Sequence, residues 1–445
     1  MPDGPDPPGD GGGATIFAVA TGAGRAALAV IRVSGPRTQV AMQALCGGLP
    51  APRRASLRRL RDGGGETLDR ALTVWMPGPG TYTGEDAAEL HVHGGRAVID
   101  GVVGALVALG CRPAEPGEFT RRAFLNGQMD LVEAEAVADL IDAETAAQRR
   151  QALRQLEGGL GELLAGWAAR LTRVLAEQEA LIDFPDEDLP PETEAGMLRD
   201  IEALRAELAA HLDDGERGER LREGLVFVVA GPPNVGKSSL VNRLAAREVA
   251  IVSSAPGTTR DAIEARTVLA GVPVTLVDTA GLRETSEAIE AEGVRRARAH
   301  AAAADLVILV SSAEGDAAMA ADLPAAAITL SVVNKIDLRR PHPVPPGVIA
   351  VSARSGAGLD ALTAELARHA LALTQASGPP PLTRVRHRAA LTEAVACLQD
   401  AARAGLPELR GEELRLALRA LGRITGQVGV EDLLDVVFRQ FCIGK

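Results

Sequence analysis

The chain has 445 residues, a formal net charge of −12 and only 2% aromatic residues. That length predicts two to four domains, each able to bury a core. Few rings and a negative total exclude a protein that grips nucleic acid through stacking platforms or a global basic field, although a local patch is still compatible with an acidic average.

The first fourteen residues, rich in Pro, Gly and Asp, lack the basic and apolar segments of a signal peptide and read as a disordered tail. Residues 15–127 mix strand-like runs (Thr15–Val19, Leu28–Val33, Leu72–Trp75, Ala88–His93) with Gly/Pro turns and one helix-like run, Arg96–Leu109, which predicts an α+β domain. Arg53, Arg54, Arg58, Arg59 and Arg61 form a basic cluster in it, read first as a solvated face and second as an RNA contact. His91 and His93 share a face at period two; solvent-facing histidines and a partial metal site both fit, the former better because no third ligand is visible.

From residue 128 the period becomes helical. Leu153, Leu156, Leu160, Leu163, Leu164, Trp167, Leu171, Val174 and Leu175 predict one stripe on one long helix, interrupted by Phe184-Pro185 and Pro190-Pro191. A second stripe, Ile201, Leu204, Leu208 and Leu212, closes a helical segment spanning 128–222. Residues 223–375 then carry a different chemistry, and helical spacing resumes in 376–445 at Leu391, Val395 and Leu398 and at Leu414, Leu418 and Leu421. The pattern predicts a multidomain α/β plus α chain: an N-terminal α+β domain, a helical domain, and a P-loop domain inserted into it with a mostly parallel sheet flanked by helices. Two separate small bundles are the rival arrangement.

The inserted segment holds five motifs in one order. Gly231, Pro232, Pro233, Asn234, Val235, Gly236, Lys237, Ser238 and Ser239 form a phosphate-binding loop after an apolar run, Leu225–Ala230, and before a helix-like stretch. Backbone N–H groups and a helix N-terminus cradle phosphates there, with Lys237 reaching the β/γ-phosphates and Ser238 ligating Mg²⁺. Gly257-Thr258-Thr259-Arg260-Asp261 follows, then Asp278-Thr279-Ala280-Gly281, then Asn334-Lys335-Ile336-Asp337, then Ser352-Ala353-Arg354. Asp278 closes a strand-like run and can hold Mg²⁺ through water. Asp337 is the base reader, since a carboxylate accepts from two N–H groups on the guanine edge that adenine lacks. The set predicts a GTP site.

Leu282 stands where many GTPases place a water-orienting Gln, and it can neither donate nor accept. Another group must orient the water, and Glu290 is the candidate. No Arg finger is assignable from spacing. Asn234, with backbone carbonyls and Thr258, offers oxygens for a monovalent cation beside the phosphates; the alternative is that Asn234 only shapes the loop. The chain ends Phe441-Cys442-Ile443-Gly444-Lys445, where Cys442 reads as inert or as a nucleophile with a lowered pKa. Cys46, Cys111, Cys397 and Cys442 form no C-x-x-C pair, which fits reduced thiols in a cytosol, and no apolar run approaches the ~20 residues of a membrane span. A cytoplasmic protein without membrane partners is expected.

Taken together, Ile31-Arg32-Val33-Ser34-Gly35, Tyr82-Thr83-Gly84-Glu85-Asp86, Arg112 to Phe119, Ala123 to Asn126, Asp183 to Asp186 and the Phe-Cys-Ile-Gly-Lys end resemble the MnmE (TrmE) family of tRNA-modification GTPases from Thr15 to Lys445. The resemblance implies a homodimer built through folate-binding N-terminal domains. It also implies K⁺-dependent GTP hydrolysis, and a heterotetramer with a flavin-containing MnmG-like protein that modifies C5 of the wobble uridine of certain tRNAs with a one-carbon unit from a tetrahydrofolate derivative. Residue by residue, it implies K⁺ ligands Asn234, Ser253, Ala255 and Thr258, with Ser253 also at the nucleotide. Mg²⁺ would fall to Ser238 and Thr259, the water-orienting acid would be Glu290, folate contacts would be Arg32, Glu89 and Lys445, and Cys442 would take part in the modification chemistry. The family commonly has a Lys where this chain has Gln128, so that folate contact would be uncharged. A ribosome-assembly or signalling GTPase that makes no product is the alternative function, and it leaves the first domain and the tail unexplained.

Overall fold

A computed structural model of the chain describes residues 13–22, 24–183, 191–214, 216–247, 263–278, 304–312, 328–338, 345–375 and 378–428, together with Leu434, Val437, Phe438, Phe441 and Gly444. It divides into two compact units, residues 1–138 with 422–445, and residues 139–421.

The first unit is built on a six-stranded sheet of β1 (Ile16–Val19), β2 (Leu28–Ser34), β3 (Ser56–Arg61), β4 (Thr67–Met76), β5 (Ala87–His93) and β6 (Arg112–Pro113), in the order β3-β4-β5-β2-β1-β6. Alternation decides which face each residue takes. Ala29, Ile31 and Val33 of β2, with Leu90 and Val92 of β5, turn to one side and pack under α1 (Thr38–Cys46) and α2 (Arg96–Ala108) in a core with Leu45, Leu60 and Leu106. The intervening residues, among them Arg32 opposite Glu89 and Val30 opposite His91, take the other face. That face leaves Leu57 63% and Leu28 58% exposed. Part of the arginine cluster is a strand: Arg58, Arg59 and Arg61 lie on β3, an edge strand in which Leu60 turns to the core and Leu57 to the other face.

Also in this unit, α3 (Glu118–Leu125) and the start of α4 (Leu131–Asp142) pack against Leu434, Val437, Phe438 and Phe441. The tail lies close. A Cβ on Gly117 (φ +69°) would meet the Phe438 carbonyl at 2.6 Å, and one on Gly444 would meet the Ala20 Cα at 3.0 Å, so Gly444 rests against the end of β1.

The second unit joins a helical bundle to a second sheet. The predicted long stripe is split here between α5 (Ala146–Leu156) and α6 (Gly159–Asp183). Gly158 takes φ +88° and ends the first helix, a conformation that costs glycine little, so one apolar period crosses two elements. The buried stripe of α6 is Leu160, Leu164, Trp167, Leu171, Val174 and Gln178. It meets α7 (Pro191–Leu212), whose Ile201, Leu204 and Leu208 are buried, and each such leucine contributes about 1.5–3 kcal/mol. Helices following the sheet, α11 (Val385–Arg403) and α12 (Pro407–Thr425), return to these: Gln178 donates to Pro407 O at 3.0 Å, and Arg415 pairs with Glu179 at 2.5 Å. The bundle is therefore made from segments on both sides of the insertion.

The inserted sheet has the order β12-β11-β10-β7-β9-β8. Strands β7 (Leu225–Ala230), β9 (Val272–Asp278), β10 (Leu306–Ser312), β11 (Ile328–Asn334) and β12 (Val348–Ala350) pair in parallel, and only β8 (Ile263–Leu269) runs antiparallel, to β9. Near-continuous burial in β7, β9 and β10 marks a parallel sheet covered on both faces. Its core takes in α9 (Lys237–Arg247) and α10 (Leu359–Thr374).

Candidate functional site

The phosphate loop leaves β7, which lies between β9 and β10, and runs straight into α9. Two glycines shape it by absence of a side chain. A Cβ on Gly231 (φ +151°) would lie 2.1 Å from Val310 O, and one on Gly236 (φ +92°) would lie 2.5 Å from the Asn334 amide. Lys237 is 6% exposed, and its Nζ donates to Gly231 O and Pro232 O at 2.9 and 2.8 Å. The ammonium is thus held over the loop it would share with phosphate oxygens. Asn234 sits exposed on the loop in the left-handed region (φ 61°), Val235 is buried, Ser238 is half-buried in the first turn of α9, and Ser239 is exposed.

Asn334 links three motifs. Buried to 2% exposure at the end of β11, it donates to Val235 O at 2.8 Å and accepts from Ala353 N at 3.0 Å. The phosphate loop and the Ser352-Ala353-Arg354 turn are therefore pinned by one amide. Lys335 follows with φ 65°, and Asp337 stands exposed in a short 3₁₀ turn. Ser352 donates to Asp337 Oδ1 at 2.6 Å, and that bond holds the carboxyl below its ordinary range. Arg243 of α9 donates to Ala353 O and, more weakly, to Arg354 O. Asp278 is fully buried at the C-terminal end of β9, beside Val229 of β7. Of the predicted nucleotide residues, Asn234, Val235, Gly236, Lys237, Ser238, Ser239, Asp278, Asn334, Lys335, Asp337, Ser352, Ala353 and Arg354 come from the strand ends and loops of one parallel sheet, where such sheets bind ligands. Ser253, Ala255, Thr258, Thr259, Thr279, Ala280, Gly281 and Glu290 lie outside the described residues.

A second group of predicted residues gathers in the first unit. Arg32 pairs with Glu89 Oε1 at 3.1 Å, and His91 Nε2 meets Glu89 Oε2 at 3.2 Å, so both carboxylate oxygens are engaged. The Arg32 guanidinium lies 5.7 Å from the Tyr82 ring centroid and 5.9 Å from that of Phe119. The segment 82–86 that carries Tyr82 is anchored from below. Arg122 of α3, 4% exposed, reaches Glu85 at 3.1 Å and Glu118 at 2.9 Å, while Arg112 holds Glu118 from the other side. Burial pushes the Glu118 carboxyl up, but the Arg112 bond, the Glu115 N–H and Arg122 outweigh it and leave it below its ordinary range. Ser34 joins Thr83 and Glu85 at 2.7 and 2.8 Å. Removing Arg122 would leave Glu118 to Arg112 and Glu85 to Ser34, and would break the link between the two carboxylates. Gln128 lies against the 82–86 segment, where a Cβ on Gly84 would meet its Nε2 at 3.1 Å. The sequence motifs contained Tyr82, Phe119, Glu85 and Glu118, but their mutual contacts were not readable from spacing, and Arg122, which joins Glu85 to Glu118, lies between two of the motifs and was missed.

Gly444 lies against Ala20, two residues beyond Ala18, the register partner of Arg32; Cys442 and Lys445 themselves lie outside the described residues. Burial pushes the thiols of Cys46 and Cys111 up, and that of Cys397 to about 11, so these three are poor nucleophiles. His91 and His93 point to separate carboxylates, Glu89 and Asp69. Among the described residues no helix is long and apolar enough to cross a membrane.

A family model for the MnmE helical domain matches residues 131–442, and one for the GTP-binding protein TrmE N-terminus matches residues 15–128. A tRNA modification GTPase MnmE from Gluconacetobacter diazotrophicus is 62% identical over 436 residues, covering 97% of this chain and 98% of its own. The chain belongs to the MnmE family of tRNA modification GTPases. MnmE proteins of Granulibacter bethesdensis and Rhodospirillum rubrum are 59% and 57% identical, each over 97% of this chain and 99% of their own. Among solved structures, an Era variant from Aquifex aeolicus bound to GDP and AlF₄⁻ is 26% identical, with a TM-score of 0.28, and covers 41% of this chain and 69% of that one.

Proposed function

We propose that this member of the MnmE family spends GTP hydrolysis on modifying C5 of the wobble uridine of certain tRNAs, with a tetrahydrofolate derivative as one-carbon source and a flavin-containing MnmG-like protein as partner. The observation that carries the reading is the presence, in one chain, of the nucleotide cradle and the Arg32–Glu89 pair, with Gly444 of the tail against Ala20 of the same sheet. An arginine suits a folate carboxylate or pterin oxygen, and a carboxylate suits the amino-pyrimidine edge. Glu89 would exchange its present partners for that edge, with Tyr82 and Phe119 walling the same space.

At the nucleotide, Lys237 binds the β/γ-phosphates and Asp337 reads the guanine. Ser238 and Thr259 hold Mg²⁺; Asn234, Ser253, Ala255 and Thr258 hold K⁺; Glu290 orients the attacking water. The exposed, left-handed placement of Asn234 suits a side chain that turns to a cation. K⁺ so placed supplies the positive charge that an Arg finger gives elsewhere. The open sheet face with Leu28, Leu57 and Leu72 supports a homodimer through the first unit, since apolar patches of that kind mark interfaces. Residues 15–127 form the folate domain, 128–222 and 376–445 the helical domain, and 223–375 the G domain, in a cytoplasmic assembly.

The test is a complete reaction: GTP, K⁺, methylenetetrahydrofolate, ammonium, the flavoprotein and unmodified tRNA, with nucleosides read by mass spectrometry. The modified uridine is expected, and it should vanish with Cys442→Ser while GTP hydrolysis persists. Hydrolysis without folate binding or product, alongside GTP-dependent co-sedimentation with ribosomes, would replace this reading with the assembly-switch alternative.

A further inference from the structure

The nucleotide-binding sheet has two covalent connections to the helical bundle. The incoming one is α8 (Arg217–Glu223), directly before β7; the outgoing one is the segment 378–384, directly before α11. They are fastened together at one place. A Cβ on Gly218 would lie 2.2 Å from Leu382 O and 2.8 Å from Pro381 Cβ, so the two connections touch at the backbone. Asp139, near the end of α4, pairs with a cation from each: Arg384 Nη2 at 2.7 Å and Arg222 Nε at 3.4 Å. Arg388, in the first turn of α11 just past the outgoing segment, fastens that end to the incoming side: it donates to Leu212 O at the end of α7 at 2.7 Å, to Asp214 Oδ1 in the loop after it at 2.8 Å, and to Glu219 Oε2 of α8 at 3.2 Å. From α5, Gln148, Gln151 and Gln155 share one face and donate to Arg222 O, Gly218 O and Thr383 Oγ1 at 3.0, 2.9 and 2.8 Å.

Two separate single-chain connections would each flex about their own backbone dihedrals, and a displacement of the inserted domain would be absorbed between them. Cross-linked as they are here, they leave one shared axis. The geometry assigns Asp139 and Arg388 as positioning residues that close both connections into a single pivot, through which nucleotide-driven movement of the inserted domain reaches the helical bundle as one rotation. The charges are matched for this, since Asp139 is 13% and Arg384 14% exposed, where water screens an ion pair less than on an open surface. None of these groups belongs to the nucleotide cradle, so hydrolysis itself does not need them. The inference rests on the GTPase reading, and only its second readout rests on tRNA modification.

Nitroxide labels on ketone-bearing residues introduced at the exposed positions Ala203 of α7 and Ala361 of α10, in protein diluted with unlabelled protein, report the spread of angles between bundle and sheet. In the full chain with GDP or GDP–AlF₄⁻, Asp139→Asn and Arg388→Gln should broaden the distance distribution about twofold or more, with hydrolysis within about twofold of the parent, and product per GTP hydrolysed should fall about fivefold or more. Arg388→Lys, which keeps the charge and loses the fork, should fall between. Distributions and yields equal to the parent in variants that melt normally would overturn the proposal. If Asp139→Asn does not fold, Arg384→Gln and Arg388→Lys decide it by the same readouts. A parent that makes no modified nucleoside would sink the tRNA reading, while the distance distributions would still decide the pivot.

Discussion

The nucleotide cradle and the Arg32–Glu89 group, the proposed folate site, are built by opposite means. The cradle is mostly backbone: two glycines let the loop close on Val310 O and the Asn334 amide, and Asn334 ties the loop to the Ser352 turn. The first unit uses side chains, with Arg32 against two rings and an ion network from Glu85 to Arg112 beneath them. A backbone site tolerates change at most of its side chains and fails abruptly at a few. A side-chain site should fail by degrees.

Lys237→Ala is the most severe way to test that contrast. With the one buried ammonium of the loop gone, the hydrolysis rate at saturating GTP should fall about 10²–10³-fold, measured by phosphate release; a rate near the parent's would mean the backbone alone suffices. Asp337→Asn comes next: replacing a pure acceptor by an amide should weaken GTP about 10²-fold or more and favour xanthosine triphosphate, whose edge offers an oxygen where guanine has an amino group. Titration with both nucleotides reads this directly. Arg32→Ala should weaken tetrahydrofolate about 10–100-fold by calorimetry with hydrolysis unchanged, because the loss is confined to one charge-assisted contact; unchanged folate affinity would remove Arg32 from the site.

Ser352→Ala should have the smallest effect, about three- to tenfold in guanine-nucleotide affinity. It also carries a pH signature. The Ser352 hydroxyl holds the Asp337 carboxyl below its ordinary range, so the charged base reader persists as pH falls and affinity declines only in acid below the usual carboxylate value. Without Ser352 that decline should move to higher pH; an unmoved profile would mean the bond does not tune Asp337.

The contrast also explains what the sequence made legible. Backbone sites demand particular residues at fixed local spacing, so Gly231 to Ser239 and Asn334 to Asp337 could be read in place. The role of Asn334 as a bridge to Val235 and Ala353 could not, because those contacts span 99 and 19 residues and form only when strands pair. Likewise Glu85 and Glu118 were visible as members of two motifs, but Arg122, which joins them, belongs to neither, and its contacts depend on α3 docking on the sheet. The single long helix predicted around Leu153–Leu175 failed because helical period says nothing about a glycine that turns left-handed in mid-stripe. The strand at Ser56–Arg61 was not legible because its two leucines, Leu57 and Leu60, lie three apart on opposite faces and give no period-two signal among the arginines.

Those arginines have a consequence for how copies of the chain behave at high concentration. An outermost strand presents a ladder of backbone groups to any extended segment that drifts past. On β3 that ladder is lined with guanidinium groups, and Arg59 stands directly opposite Arg70 of β4. A second β3 arriving edge-on would bring the same positive row against it. The strand thus repels its own copy, and in a chain of net charge −12 this local reversal of sign favours staying dispersed over growth into a continuous sheet.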